Sequence, residues 1–216
     1  MKRLMIVAGE VSGDQHAARL VRDLRAARGD VEIFGIGGDA LRREGVRTLV
    51  DARDMAVLGF FEVLARYPFF RRVFNQMTAL LSAEKPDALL LVDYPGFNLR
   101  LAAKAHELGI PVLYYISPQV WAWHKSRIPK MAKILDLLMV IFPFEVEVFK
   151  DTGLKTVFVG HPLVESVRRT LAHPSPDLPW PPGKRRAALL PGSRRQEIQR
   201  ILPAMRAAGR GWRGRD

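Results

Sequence analysis

Short uninterrupted apolar runs alternate along this chain with stretches of helical period, and that rhythm limits the folds open to it. Residues 4–8, 31–36, 88–92 (ALLLV), 111–116, 135–141 and 157–159 read as strands. Most lack the in–out alternation of a half-exposed strand, so they predict strands buried on both faces. Between them, residues 16–28 carry Ala17, Leu20, Val21 and Leu24 at helical spacing, and a second helix begins near Leu99 and ends by Gly109. Buried strands separated by helices predict an α/β fold with a parallel sheet covered by helices.

The length, 216 residues, suits one large domain or one domain plus part of another. Pro174, Pro176, Pro179, Pro181 and Pro182 crowd one short stretch. That many fixed φ angles and missing N–H donors exclude regular helix or central strand. The chain thus divides into a complete domain over 1–172, a Pro-rich linker over 173–184, and the start of a second domain over 185–216. In that last part residues 187–190 predict a strand and 196–205 a helix, one βα unit of a second sheet domain that is only begun.

The formal charge is +12, but residues 183–216 hold ten Lys/Arg against two Asp/Glu. The preceding 182 residues carry only +4. A basic RNA- or membrane-binding module would rest on that short segment, and no nucleic acid partner is expected for the main domain. There is no cysteine, which excludes disulfides, Cys-ligated zinc and a Cys nucleophile. The five His are scattered without metal-ligand spacing, so no metal and no cofactor is expected. No apolar run reaches the roughly 18 residues of a membrane span. The apolar run after Met1-Lys2-Arg3 is too short for a secretion signal, so a cytoplasmic protein is expected.

Candidate chemistry sits where strands end. Gly9-Glu10-Val11-Ser12-Gly13-Asp14 follows the first strand, and such a turn offers backbone N–H groups to an anion or a hydroxyl-rich ligand. The competing reading is an ordinary strand–helix turn with Asp14 as N-cap. Asp93, in Asp93-Tyr94-Pro95-Gly96-Phe97-Asn98, lies at the carboxyl end of a buried strand, where α/β sheets bind ligands. Apolar surroundings would raise its pKa and suit a general base; a turn-forming Asp is the alternative. The loop containing Ser117, Gln119, Trp121 and Trp123 offers aromatic faces for a sugar or base, or else aromatics that pin a loop. Ser193 and Arg194, after residues 187–190, place a hydroxyl and a guanidinium at a helix start, a setting for a diphosphate.

Residues 60–74 hold five of the eleven Phe. Phe60, Val63, Leu64, Tyr67, Phe70, Phe74 and Met77 fall on one helical stripe, which predicts a core-facing side. Phe61, Phe69 and Val73 fall elsewhere, among Arg66, Arg71 and Arg72, with Pro68 dividing the segment. Surplus apolar surface beside basic residues predicts an interfacial membrane element or acyl-chain groove formed by Phe60, Phe61, Val63, Leu64, Tyr67, Phe69 and Phe70. A helix packed on two sides, or a homodimer interface, is the alternative.

Taken in order, GEVSGD (9–14), AVLGFFEVL (56–64), DYPGFN (93–98), SPQVWAW (117–123), FPFE (142–145), VGHPL (159–163) and LLPGSRRQEI (189–198) resemble bacterial lipid-A-disaccharide synthase from about residue 4 to about residue 203. The resemblance implies a GT-B-like architecture of two Rossmann-like domains and an inverting, metal-independent glycosyltransferase. It would join UDP-2,3-diacylglucosamine to 2,3-diacylglucosamine 1-phosphate, releasing UDP, at the inner face of the inner membrane, with an anionic membrane surface as partner. It implies Asp93 as general base, Ser193 and Arg194 at the diphosphate, and Glu10, Ser12, Gly13, Asn98, Ser117, Gln119 and Trp121 along the cleft. Because the second domain is only begun, the isolated chain is expected to be inactive or very weak. Another UDP-sugar enzyme of the same architecture is the runner-up.

Overall fold

Leu4, Met5, Ile6, Val7 and Ala8 have at most 8% of their surface exposed, and they form the centre of β1 (Lys2–Ala8). In the computed structural model, residues 1–55, 66–173, 187–192 and 195–213 are described. They fall into two compact units, Met1–Ala172 and His173–Asp216.

The first unit is built on seven strands: β1, β2 (Val31–Gly37), β3 (Arg47–Asp51), β4 (Ala88–Val92), β5 (Val112–Tyr115), β6 (Leu137–Val140) and β7 (Thr156–Phe158). They are ordered β3-β2-β1-β4-β5-β6-β7, and every pairing is parallel. The chain winds outward from β1 to β3, then returns to lay β4 on the other side of β1. The order therefore reverses between β1 and β4, where an open α/β sheet leaves a crevice at its carboxyl edge. Ala8 pairs with Val92, and Val92 with Tyr115, so the loops after β1, β4 and β5 emerge side by side.

Helices α1 (Val11–Arg28) and α2 (Asp39–Arg43) cover one face of the sheet. Their Ala17, Ala18, Val21 and Leu41 join Leu4, Ile6, Ala8, Ile33, Leu90 and Val92. The short α3 (Ala52–Met55) follows β3. Helices α4 (Tyr67–Glu84), α5 (Pro95–Glu107), α6 (Val120–Trp123), α7 (Ile128–Ile134) and α8 (Phe144–Phe149) follow in order. The opposite face packs Met5, Val7, Leu89, Leu91, Val112 and Tyr114 against Val73, Met77, Leu81, Leu101, Met131 and Phe149. Helix α9 (Pro162–Ala172) buries no side chain. A concavity of about 1410 Å³ lies on the α1 side, with Leu90, Leu113, Tyr115, Met139 and Ile141 among its lining.

Several sequence expectations need correcting. The first helix starts at Val11 rather than His16, with Gly13 buried in its first turn. Asp14 does not cap that helix. It is buried, and it accepts the N–H groups of Gly38 (2.6 Å), Ala40 (2.9 Å) and Leu41 (3.2 Å), capping α2 instead. Strand β3 carries no clear sequence signal, because Arg47-Thr48-Leu49-Val50-Asp51 is a short, half-buried edge strand bounded by charges. In α4 the buried stripe is Val73, Met77 and Leu81. Tyr67, expected in the core, is 55% exposed, and Phe69 and Phe70 are half-buried against the core. The helix starts at Tyr67 with Pro68 in its first turn, where a missing N–H costs nothing, so the stripe is rotated from the one counted through Phe60.

In the second unit, residues 187–190 form no strand; a lone extended segment has no neighbour whose N–H and C=O groups could pair with it. Helix α10 (Arg195–Arg213) begins close to the expected position and runs longer.

Candidate functional site

The motifs singled out in the first unit gather along one edge of the sheet. Glu10 and Ser12 follow β1, Asp93 and Tyr94 follow β4, the loop of Ser117–Trp121 follows β5, Phe142–Glu145 follows β6, and Gly160-His161-Pro162 follows β7. Glu10 is half-buried, Ser12 is exposed, and Gly13 is buried in the first turn of α1.

Asp93 stands at the switch point. Its N–H donates to the Tyr115 carbonyl at 3.0 Å, continuing the ladder one residue beyond β4. The backbone then turns left-handed at two successive residues, Asp93 (φ 47°) and Tyr94 (φ 51°). Such conformations cost about 1–2 kcal/mol each for L-residues other than Gly, less for Asp. Tyr114 Oη donates to the Asp93 carbonyl at 2.6 Å, and Asn98 Nδ2 donates to the same oxygen at 2.6 Å and to the Val92 carbonyl at 3.2 Å. At about 1 kcal/mol net per hydrogen bond, these contacts offset a good part of the strain. Burial raises the pKa of the Asp93 carboxyl from its ordinary value, against the pull of the Tyr94 N–H. Asp93 thus forms the turn and presents a partly dehydrated carboxylate at the end of β4.

Tyr94 closes the other side of the crevice. Its ring lies so near Gly9 that a Cβ there would meet Cδ1 at 2.6 Å. Its hydroxyl donates to the Met55 carbonyl at 2.9 Å. Burial raises its phenol pKa, and the nearby Glu10 carboxylate adds to that. Glu10, Gly9, Asp93 and Tyr94 thus form one wall-to-wall group across β1 and β4.

The β5 loop opens on another left-handed residue, Ile116 (φ 66°), a costly conformation for a β-branched side chain. Ser117 is buried and donates to the Pro118 carbonyl at 3.1 Å, while Gln119 is exposed. Trp121 packs edge-on against Phe144 at 5.0 Å, and Trp123 is 79% exposed. Of the two tryptophans, then, one pins the loop and the other offers an open aromatic face. Glu145 lies beneath, 1% exposed, accepting the Phe142 N–H at 3.1 Å. Burial raises its pKa, while the Phe142 N–H and the Trp121 indole pull it down.

Asn98, expected to line the cleft, is fully buried. Its amide is committed to the backbone of Val92 and Asp93, so it supports the Asp93 turn from below. The sequence assigns no role to Tyr114, and Glu145 enters it only within the FPFE motif. A Tyr inside an apolar strand run and a Glu after a Phe-Pro-Phe turn were the available signals. Ser193 and Arg194, together with Phe60, Phe61, Val63 and Leu64, lie outside the described residues. Of the acyl-groove group, Tyr67, Phe69 and Phe70 are described: Tyr67 is exposed beside Arg71 and Arg72, and the Arg66 guanidinium lies 4.8 Å over the Phe69 ring. Among the described residues, no cluster of three His, Asp or Glu side chains could hold a metal ion, and no helix is long and apolar enough to cross a membrane.

Residues 4–210 match the family model for lipid-A-disaccharide synthetase. The chain belongs to that family. It is 44% identical over 211 residues to the lipid-A-disaccharide synthase of Trichlorobacter lovleyi, covering 97% of this chain and 55% of the relative. It is 45% identical over 205 residues to the enzyme of Geobacter sulfurreducens, covering 94% and 53%. The chain therefore spans about half the length of the curated relatives it matches. Among solved structures it resembles a Staphylococcus aureus MnaA–UDP co-structure, with TM-score 0.56 and 13% identity over 79% of this chain and 48% of that one. It also resembles a UDP-GlcNAc 2-epimerase of Neisseria meningitidis bound to UDP-GlcNAc, with TM-score 0.54 and 11% identity over 80% and 49%. At such identity the likeness is one of fold: an open parallel sheet with its motifs along the carboxyl edge. Family membership gives the loops of Glu10, Asp93 and Trp121 a common context, since each lies within the matched span.

Proposed function

We propose that this chain provides the acceptor side of a glycosyltransferase that joins UDP-2,3-diacylglucosamine to 2,3-diacylglucosamine 1-phosphate. The observation that carries the reading is Asp93, a partly dehydrated carboxylate with a raised pKa, held at the switch point of a lipid-A-disaccharide synthetase family fold. In the proposed step the acceptor 6-hydroxyl oxygen forms a bond to the anomeric carbon of the donor. Its proton passes to Asp93. The bond from that carbon to the UDP oxygen breaks from the opposite side, inverting the centre, and the electron pair leaves with UDP. A diphosphate needs charge stabilisation rather than protonation to depart, a role assigned here to Ser193 and Arg194. Glu10, Ser12, Gly13, Ser117, Gln119 and Trp121 border the acceptor, with Asn98 acting from beneath. The acyl chains are assigned to the segment of Phe60, Phe61, Val63, Leu64, Tyr67, Phe69 and Phe70 at an anionic membrane surface on the cytoplasmic side. In this reading residues 1–172 are the acceptor-side domain, 173–184 a linker and 185–216 the beginning of the donor-side domain, and a homodimer is one assembly in which the cleft could be completed.

The test is conversion of both acylated substrates to disaccharide and UDP. The expected turnover of the 216-residue chain is very weak, so it is paired with binding: acceptor added in micelles should shift the Asp93 carboxyl resonance. Asp93→Ala should lower any turnover by about 10²–10⁴-fold, the usual size of a general-base effect. Turnover that survives in Asp93→Ala, or an Asp93 resonance that ignores saturating acceptor, would sink the assignment.

A further inference from the structure

We infer that Tyr114 is the positioning residue for Asp93: its hydroxyl fixes the direction of the Asp93 peptide and so keeps the carboxyl at the crevice. Its functional meaning rests on the reading of Asp93 as the base.

A strand residue ordinarily returns its carbonyl to the neighbouring strand. Asp93 donates its N–H to Tyr115 in that way, but its left-handed φ of 47° swings the carbonyl out of the ladder. That oxygen points into the α4/α5 face of the sheet, where an unpaired carbonyl would be costly. Tyr114 is in register with Leu91, two residues before Asp93, and is wholly buried. Its hydroxyl reaches the displaced carbonyl at 2.6 Å. Burial, with the nearby Asp93 charge, pushes the phenol well above its ordinary pKa, so it stays protonated and remains a donor across the working pH range. Asn98 supplies the second donor at 2.6 Å. The two are not equivalent. Asn98 belongs to the same turn-and-helix segment as Asp93 and moves with it. Tyr114 belongs to β5, an interior strand of the sheet, and ties the turn to a rigid frame. The neighbouring core positions on this face, Leu89, Leu91, Val112 and Leu138, are apolar, so the one hydroxyl among them has a specific task.

The test uses the chain as it stands, labelled with ¹³C at aspartate, and follows the Asp93 carboxyl through a pH titration. In the unaltered chain its midpoint should lie above the ordinary Asp value. Tyr114→Phe keeps the ring and removes the hydroxyl, so the midpoint should fall toward the ordinary value as the turn relaxes into water. Tyr115→Phe, whose hydroxyl does not touch the Asp93 backbone, should leave it in place. An unchanged Asp93 midpoint in folded Tyr114→Phe would overturn the inference. Should that variant not fold, the unaltered chain still decides: the Tyr114 hydroxyl proton should exchange slowly with water, and fast exchange overturns the inference. Failure of the base reading looks different, because it shows as turnover or acceptor binding indifferent to Asp93→Ala while the Tyr114 dependence of the titration persists.

Discussion

The Asp14 carboxylate, in the first turn of α1, accepts the N–H of Gly38 at 2.6 Å, at the start of α2. With the N–H groups of Ala40 and Leu41, it satisfies three donors of a helix whose own N-cap, a glycine, offers no side chain. This contact locks the loop after β2 against the helix after β1, directly behind the Glu10 turn.

Asp14→Ala should therefore destabilise the chain by about 2–3 kcal/mol, more than an exposed cap, because buried donors lose a charged acceptor. Asp14→Asn keeps one acceptor oxygen and should cost about half as much. Urea denaturation measures both, and equal losses would show that the one neutral oxygen kept in Asn recovers nothing.

Gly35 leaves no room for any side chain. Its φ is 143°, and a Cβ would stand 2.0 Å from the Ile6 carbonyl oxygen, at the point where the β2–β3 register shifts. Gly35→Ala should cost more than about 3 kcal/mol, since backbone strain and a clash with the central strand add. A soluble variant with an unaltered urea midpoint would contradict this.

Gly9 and Tyr94 should show coupled effects. Gly9→Ala sets a methyl against a ring tethered through its hydroxyl to Met55, with an expected loss of about 1–3 kcal/mol. In a Tyr94→Ala background most of that penalty should disappear. A double-mutant cycle measures the coupling, and simple additivity would mean that the crevice is looser than described.

Two carboxylates should give pH signatures of opposite sign. Asp93 binds its proton more tightly folded than unfolded, so its burial opposes folding above its raised pKa, and that penalty is relieved as pH falls toward the ordinary Asp value. Asp93→Asn should accordingly stabilise the chain at neutral pH and bring no gain in acid. Asp51 is held well below the ordinary range, first by hydrogen bonding from Arg53, then from Arg42. Its contribution is present in full above the ordinary Asp pKa and fades as pH falls from there toward its depressed folded value, so Asp51→Asn should destabilise at neutral pH and by a shrinking margin in acid. Thermal melts of both variants between pH 3 and about pH 8 would show whether the curves diverge in these directions.

The apolar runs within β1, β2, β4 and β5 made the parallel sheet legible, because strands buried on both faces lack the in–out alternation of polar residues. Asp93 was legible as well, since a carboxylate directly after such a run must lie at the sheet's carboxyl edge. The edge strand β3 was not, because its half-buried side chains alternate too weakly with its charges. Nor could counting residues tell Val73 from Tyr67. The phase of α4 depends on where the helix starts, and Pro68 fits a first turn as readily as a break.

What the sequence by itself determined was the layer architecture and the sheet edge along which the described motifs gather, both consequences of local pattern. The tertiary structure decided which polar side chains are free to meet a ligand and which are already engaged. Asp14 caps a helix 24 residues away, Asn98 turns its amide inward, and Tyr114 reaches from a neighbouring strand to the carbonyl beneath Asp93. The partners of Asp14 and Tyr114 are distant in sequence and are brought to them only by tertiary packing, while Asn98 meets its acceptors within its own turn.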